Sequence, residues 1–118
     1  MAYQSFEDLE VWKRACQLAV TVYEVLVKCR DFGMKDQMQR SAVSIASNIA
    51  EGYERSDKEF ARYLAIARGS ASELRTQANI ADRVGLIDSE SRTLIVDETK
   101  QINRMLYALA KHRTTPEP

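Results

Sequence analysis

Ser44, Asn48 and Glu51 stand at i, i+4 and i+7, and Ser70 and Glu73 at i and i+3, so each set falls on one side of a helix if its segment is helical. Brought together inside a bundle, Glu51 and Glu73 would offer a metal site or an acid and base pair. The ligand set for that chemistry is thin. Di-metal bundles draw glutamates from four helices with Glu-x-x-His motifs, and the single histidine here is His112, far along the chain. The same five side chains suit a polar network that fixes helix register or a subunit contact. A nucleophilic serine or cysteine needs a base within hydrogen-bond reach, which one distant histidine supplies poorly. No catalytic residue, metal ligand or cofactor is assigned.

The basic residues suggest a second kind of contact. Arg68 and Arg75 are one heptad apart, Lys58 and Arg62 one turn apart, and Arg104, Lys111 and Arg113 crowd one short stretch. In one subunit these are ordinary solvated charges. In a ring each patch is multiplied, and a basic collar able to release phosphate counterions results. Asp57, Glu59, Asp97 and Glu98 dilute the field, and few aromatics are expected to be free for stacking. Tyr53 and Tyr63, with Arg55 and Arg62 close by, are expected to pack one end of the fold.

The elements that carry these residues read as helix throughout. There are four glycines and two prolines, and alternating β-branched runs are missing. Helices are expected over about 6–30, 35–51, 57–84 and 89–112, in one domain spanning 1–113 with a frayed tail at 114–118. Short connections make consecutive helices antiparallel, an all-α up-and-down four-helix bundle. The third helix has the clearest spacing, with Phe60, Leu64, Ala67, Ala71, Leu74, Ala78 and Ala81 in an unbroken 4,3 alternation. Gly85 and Leu86 then fit a Schellman ending. In the fourth helix Ile95, Thr99, Ile102, Leu106 and Leu109 keep one seam. Between helices two and three, Gly52 reads as the left-handed residue that closes a helix, and Ser56 with Glu59 as a capping box.

Two helices carry more than a monomer needs. Read in sevens, the first has four apolar columns: Leu9, Cys16, Tyr23; Trp12, Ala19, Leu26; Ala15, Val22, Cys29; and Val11, Leu18, Val25. A bundle helix needs an apolar stripe of only about 100°. The second helix sets Ser41, Ser44, Ser47, Asn48 and Glu51 where lysines and glutamates would mark a solvated side. These two helices are therefore expected to supply a subunit interface.

The totals bound the remaining possibilities. A chain of 118 residues supports one core without disulfides. Seventeen Lys and Arg against seventeen Asp and Glu, with a pI near 6.6, leave no global field towards nucleic acid or anionic lipid. Cys16 and Cys29, placed on one expected helix, are about 20 Å apart at 1.5 Å per residue and cannot bridge each other. Unpaired thiols, no apolar leader and no run of about 18 apolar residues point to a cytoplasmic chain without a membrane span.

Several runs together resemble a known family. Phe6, Leu9 and Trp12 as F-x-x-L-x-x-W, QRSAVSIASNIAEGYERSDKEFARYL, GSASELRTQANIADRVGLI and INRML are similar to the bacterial four-helix-bundle family of 23S rRNA intervening-sequence proteins. The resemblance implies an up-and-down protomer assembled as a ring-like homopentamer, with no catalytic activity established. A related branch, the accessory variability proteins of diversity-generating retroelements, implies an alternative role as a nucleic-acid-binding partner of a reverse transcriptase. Two departures stand out. The loop CRDFGMKDQ lacks the proline and glutamate usual there, and the chain is neutral where the nucleic-acid-binding branch is basic. The overall expectation is a self-associating, non-catalytic scaffold or binding protein. Nucleic-acid binding and a small metal enzyme built on Glu51 and Glu73 are the alternatives.

Overall fold

The computed structural model describes residues 5–114, with side chains to His112. A short 3-10 turn, Phe6–Asp8, precedes four α-helices: α1 Glu10–Val25, α2 Phe32–Tyr53, α3 Asp57–Arg83 and α4 Ser89–Thr114. They form an elongated bundle of 51 × 21 × 20 Å, without strands among the described residues. Each helix packs on its two neighbours. The α2–α3 and α3–α4 pairs are the most extensive and α1–α4 the sparsest.

The core follows the heptad arithmetic most closely in α3. All seven seam residues from Phe60 to Ala81 are fully buried, and Ile95, Thr99, Ile102 and Leu106 of α4 meet them. Thr99 has no solvent contact and gives its hydroxyl proton to the Val96 carbonyl at 2.7 Å, so the polar atom is satisfied within its own helix. At the far end of α3, Gly85 takes φ +80°. The Leu86 amide reaches Ala81 O at 2.8 Å and the Gly85 amide reaches Asp82 O at 3.0 Å, the two bonds of a Schellman ending.

Both ends of α1 differ from the continuous 6–30 helix expected. Ser5 and Asp8 form a capping box on the 3-10 turn, and Leu9 is extended at ψ 125° before α1 begins. That break lets Phe6 fold back edge-on to Trp12, with ring centroids 5.3 Å apart. At the other end, buried Leu26 and Cys29 turn over the base of the bundle, and the Cys29 amide bonds to Leu26 O at 2.9 Å. Cys29 therefore does not share a helix with Cys16, and both thiols are free. Asp31 then caps α2 by accepting from the Met34 amide at 3.0 Å, which starts that helix at Phe32 rather than at residue 35. Gly33 sits inside the first turn and does not delay it.

Gly52 corrects the other boundary. It lies inside α2, which runs to Tyr53, and its backbone is not left-handed. A Cβ added there would stand 2.5 Å from Tyr63 Cβ and 3.1 Å from Phe60 Cδ1. Close approach of α2 to α3, not handedness, is what requires glycine at this position. Gly69, exposed in mid-α3, is the opposite case, with nothing within 4 Å of the same position. Gly69→Ala is accordingly expected to stabilise the protein by about 0.5–1 kcal/mol through helix propensity alone, read from a urea midpoint at unchanged slope.

Ser56 accepts from the Glu59 amide at 3.3 Å, one half of the expected box, while the Glu59 carboxylate is held by Arg62 Nε at 3.0 Å. The α4 start is capped by Asp88, whose Oδ1 accepts from the Ser91 amide at 2.7 Å. This backbone bond holds the Asp88 carboxyl below its usual range. A lowered folded-state pKa contributes stability above the unfolded value that is lost as pH falls through the folded one. Asp88→Asn, which keeps an acceptor but not the charge, is expected to shrink the loss of thermal stability below about pH 4, the ordinary carboxylate range. Melting curves between neutral and acid pH read it.

Candidate functional site

The five polar residues of the expected network separate. Ser44 and Ser70 share a hydrogen bond of 2.8 Å between α2 and α3, and Asn48 Nδ2 donates to Ser44 Oγ at 2.9 Å and to Ser44 O at 2.8 Å. Glu51 points away from them and takes Arg55 Nη2 at 2.5 Å, one turn on and exposed. Glu73 is exposed on the outer side of α3, beside a shallow groove with Gly69, Ser72 and Thr76. Ser41 is buried and Ser47 is exposed next to α1. One expected polar side thus becomes a core serine, a hydroxyl and amide link to α3, and two outward residues. Among the described residues no group of three or more His, Cys, Asp or Glu could hold a metal ion. His112 is exposed near the end of α4.

Two surfaces remain. On α1, the columns Ala15–Val22 and Val11–Leu18 go into the core, which leaves Trp12, Cys16, Ala19, Val20 and Tyr23 as a second apolar stripe, with exposed Val27 just beyond the helix end. Val20 is 52 % exposed and Tyr23 50 %. The stripe borders a groove of about 380 Å³, whose other wall is Val43, Ala46 and Ala50 of α2. Burial in this groove pushes the Cys16 thiol up, towards the inert, protonated form. On the side of α1 that meets α4, Arg14 forms a bidentate pair with Glu98 at 2.6 and 3.0 Å. The bond to Glu98 raises the Arg14 pKa further.

The second surface is the seam between α3 and α4. Here a groove of about 540 Å³ is lined by Arg68, Gly69 and Ser72 from α3 and Asn103, Arg104 and Tyr107 from α4. Arg68 lies over the Tyr107 ring at 5.2 Å, and Arg104 Nη2 donates to Gln101 at 2.8 Å. Neither arginine forms an ion pair among the described residues. Arg75 continues the Arg68 column one heptad on.

The other basic residues lie apart from this groove. Lys58 and exposed Arg62 belong to the start of α3, where Arg62 and Arg55 flank Tyr63 at 4.9 and 5.0 Å and Tyr53 meets Phe60 edge-on at 5.8 Å. Lys111 is exposed near the end of α4. The Arg113 side chain and residues 115–118 of the expected tail lie outside the described residues, while Thr114 still belongs to α4. Tyr107, 59 % exposed, is one of the few aromatics left free for stacking, and it stands at this groove. Its spacing of three from Arg104 is the sequence signal that could have found it.

Fold and surfaces together define a small all-α bundle whose distinctive features are helix faces. The profile of the 23S rRNA-intervening sequence protein family matches residues 7–108. The chain belongs to that family. Among solved structures, a protein of unknown function from Bacteroides thetaiotaomicron VPI-5482, described as of the S23 ribosomal protein family, is 29 % identical. The match covers 86 % of this chain and 98 % of that one, with a TM-score of 0.79. No curated protein matches. Neither the family nor the structural neighbour indicates an enzyme family. No helix among the described residues is long and apolar enough to cross a membrane.

Proposed function

We propose that the chain is a non-catalytic homo-oligomeric scaffold of the cytoplasm, in which a second copy covers the α1–α2 face. The observation that carries this is the second apolar stripe of α1, contiguous with the groove against α2. Soluble chains rarely leave so continuous an apolar surface uncovered. A second copy is the occupant in keeping with the charge. Seventeen cations against seventeen anions leave identical subunits without net repulsion, and the stripe of one copy offers the same apolar surface to another. A ring of five follows from the family resemblance. The non-catalytic reading is supported by the placement of the candidate groups: Glu51 is taken up by Arg55, Glu73 stands on the outer side of α3, and the Cys16 thiol is pushed up by burial. Light scattering at micromolar concentration tests it, with a mass that is a multiple of 13.4 kDa expected and a mass of one subunit overturning it.

A second reading, contact with nucleic acid, is favoured by Arg68 and Arg104 sharing a groove that holds no carboxylate in its lining. Repetition of that groove around an assembly would multiply the counterions released, so binding would fall steeply with salt.

A further inference from the structure

Resting on this second reading, we infer that the α3–α4 groove is a subsite for one nucleotide unit, a phosphate ester carrying a flat base. Arg68 Nε of α3 and Asn103 Oδ1 of α4 are both buried, and neither has a hydrogen-bond partner. Buried polar atoms of native proteins are normally paired, so two orphans on residues that line one groove from facing helices mark a place where something polar belongs once those side chains turn outward. Turned into the groove, their chemistry is complementary to a nucleotide: the Arg68 guanidinium gives protons to a phosphate oxygen, and Asn103 Oδ1 accepts one from a sugar hydroxyl or an exocyclic amine. Arg104 stands one residue beyond Asn103 and lines the same groove, adding a second cation where no carboxylate competes.

Tyr107 supplies the flat platform. Arg68 covers it at 5.2 Å, yet the residue stays 59 % exposed, so ring surface remains for a base to stack on. The α3 wall is open at Gly69, where nothing lies within 4 Å of the Cβ position. The groove volume of about 540 Å³ suits a ligand of that size. The two sequence runs beginning at Gly69 and Ile102, which carry part of the family resemblance, meet across it.

The test is fluorescence anisotropy of the assembled protein with a labelled single-stranded twelve-nucleotide oligomer at low salt. Competition by a nucleoside monophosphate and by inorganic phosphate accompanies it. Tyr107→Leu is expected to weaken binding about ten-fold through lost stacking, and Arg104→Gln to reduce the salt slope by about one. Arg68→Lys, which keeps the charge and removes Nε, is expected to weaken binding several-fold, whereas Arg40→Gln on α2 changes little. The monophosphate should compete better than inorganic phosphate. Equal competition by the two overturns the subsite, as does oligomer binding that the Tyr107, Arg68 and Arg104 variants leave within two-fold; in either case nucleic-acid contact itself stands. Failure of the unaltered protein to bind the oligomer removes both. If the monophosphate binds as tightly as the oligomer, the subsite serves a free nucleotide; if ten-fold more weakly, it serves a single strand.

Discussion

Gly52→Ala lowers the unfolding free energy by about 2 kcal/mol, although alanine is the better helix former by about 1 kcal/mol. The added methyl would stand 2.5 Å from Tyr63 Cβ. A flexible tip could swing aside, but a Cβ is fixed by its backbone, so α2 and α3 must move apart. Phe60, fully buried and 3.1 Å away through Cδ1, loses packing when they do. Tyr63→Ala keeps the offending atom and is therefore expected not to rescue the variant. Chemical denaturation of Gly52→Ala beside Gly69→Ala separates the effects, since the two substitutions are chemically identical and have opposite expected signs. A neutral or stabilising Gly52→Ala removes the close-approach account.

Val20→Glu with Tyr23→Glu dissociates the assembly to the 13.4 kDa subunit. Both residues are about half exposed in the single subunit, so the protomer tolerates the charges in water. In a subunit contact the same carboxylates would be stripped of water without a partner, at several kcal/mol each. Thermal stability falls with the mass, because association favours the folded state by mass action. Gln17→Glu, on the polar side of α1, is the control and leaves the mass unchanged. Retention of the full assembled mass by the double variant moves the interface away from α1.

What the sequence made legible was set by local spacing. The α3 seam needed only the period of its small and large apolar residues, and the Schellman ending only a Gly-Leu pair after the last periodic position. Gly52 was legible as special but not as close-packed, because its neighbour Tyr63 lies eleven residues on, across a turn. The polar side of α2 was divided for a similar reason. Ser44 and Asn48 look towards Ser70, while Glu51 has passed beyond that contact and meets Arg55 instead. At the α3–α4 groove the arginines were visible as cations, but the unpaired atoms of Arg68 and Asn103 and the exposure of Tyr107 arise only when two helices face each other.

The sparse contact of α1 with α4 gives this protein a graded stability. The α2, α3 and α4 helices form the tightly interlocked unit, and α1 is the shortest helix, leaning on it through part of its circumference. Its amides should exchange with solvent hydrogen first, by openings that leave the other three helices intact. Covering the α1 stripe with another copy would close those openings, so the order of the first helix becomes a function of protein concentration. Dilution would loosen one helix before it unfolds a molecule.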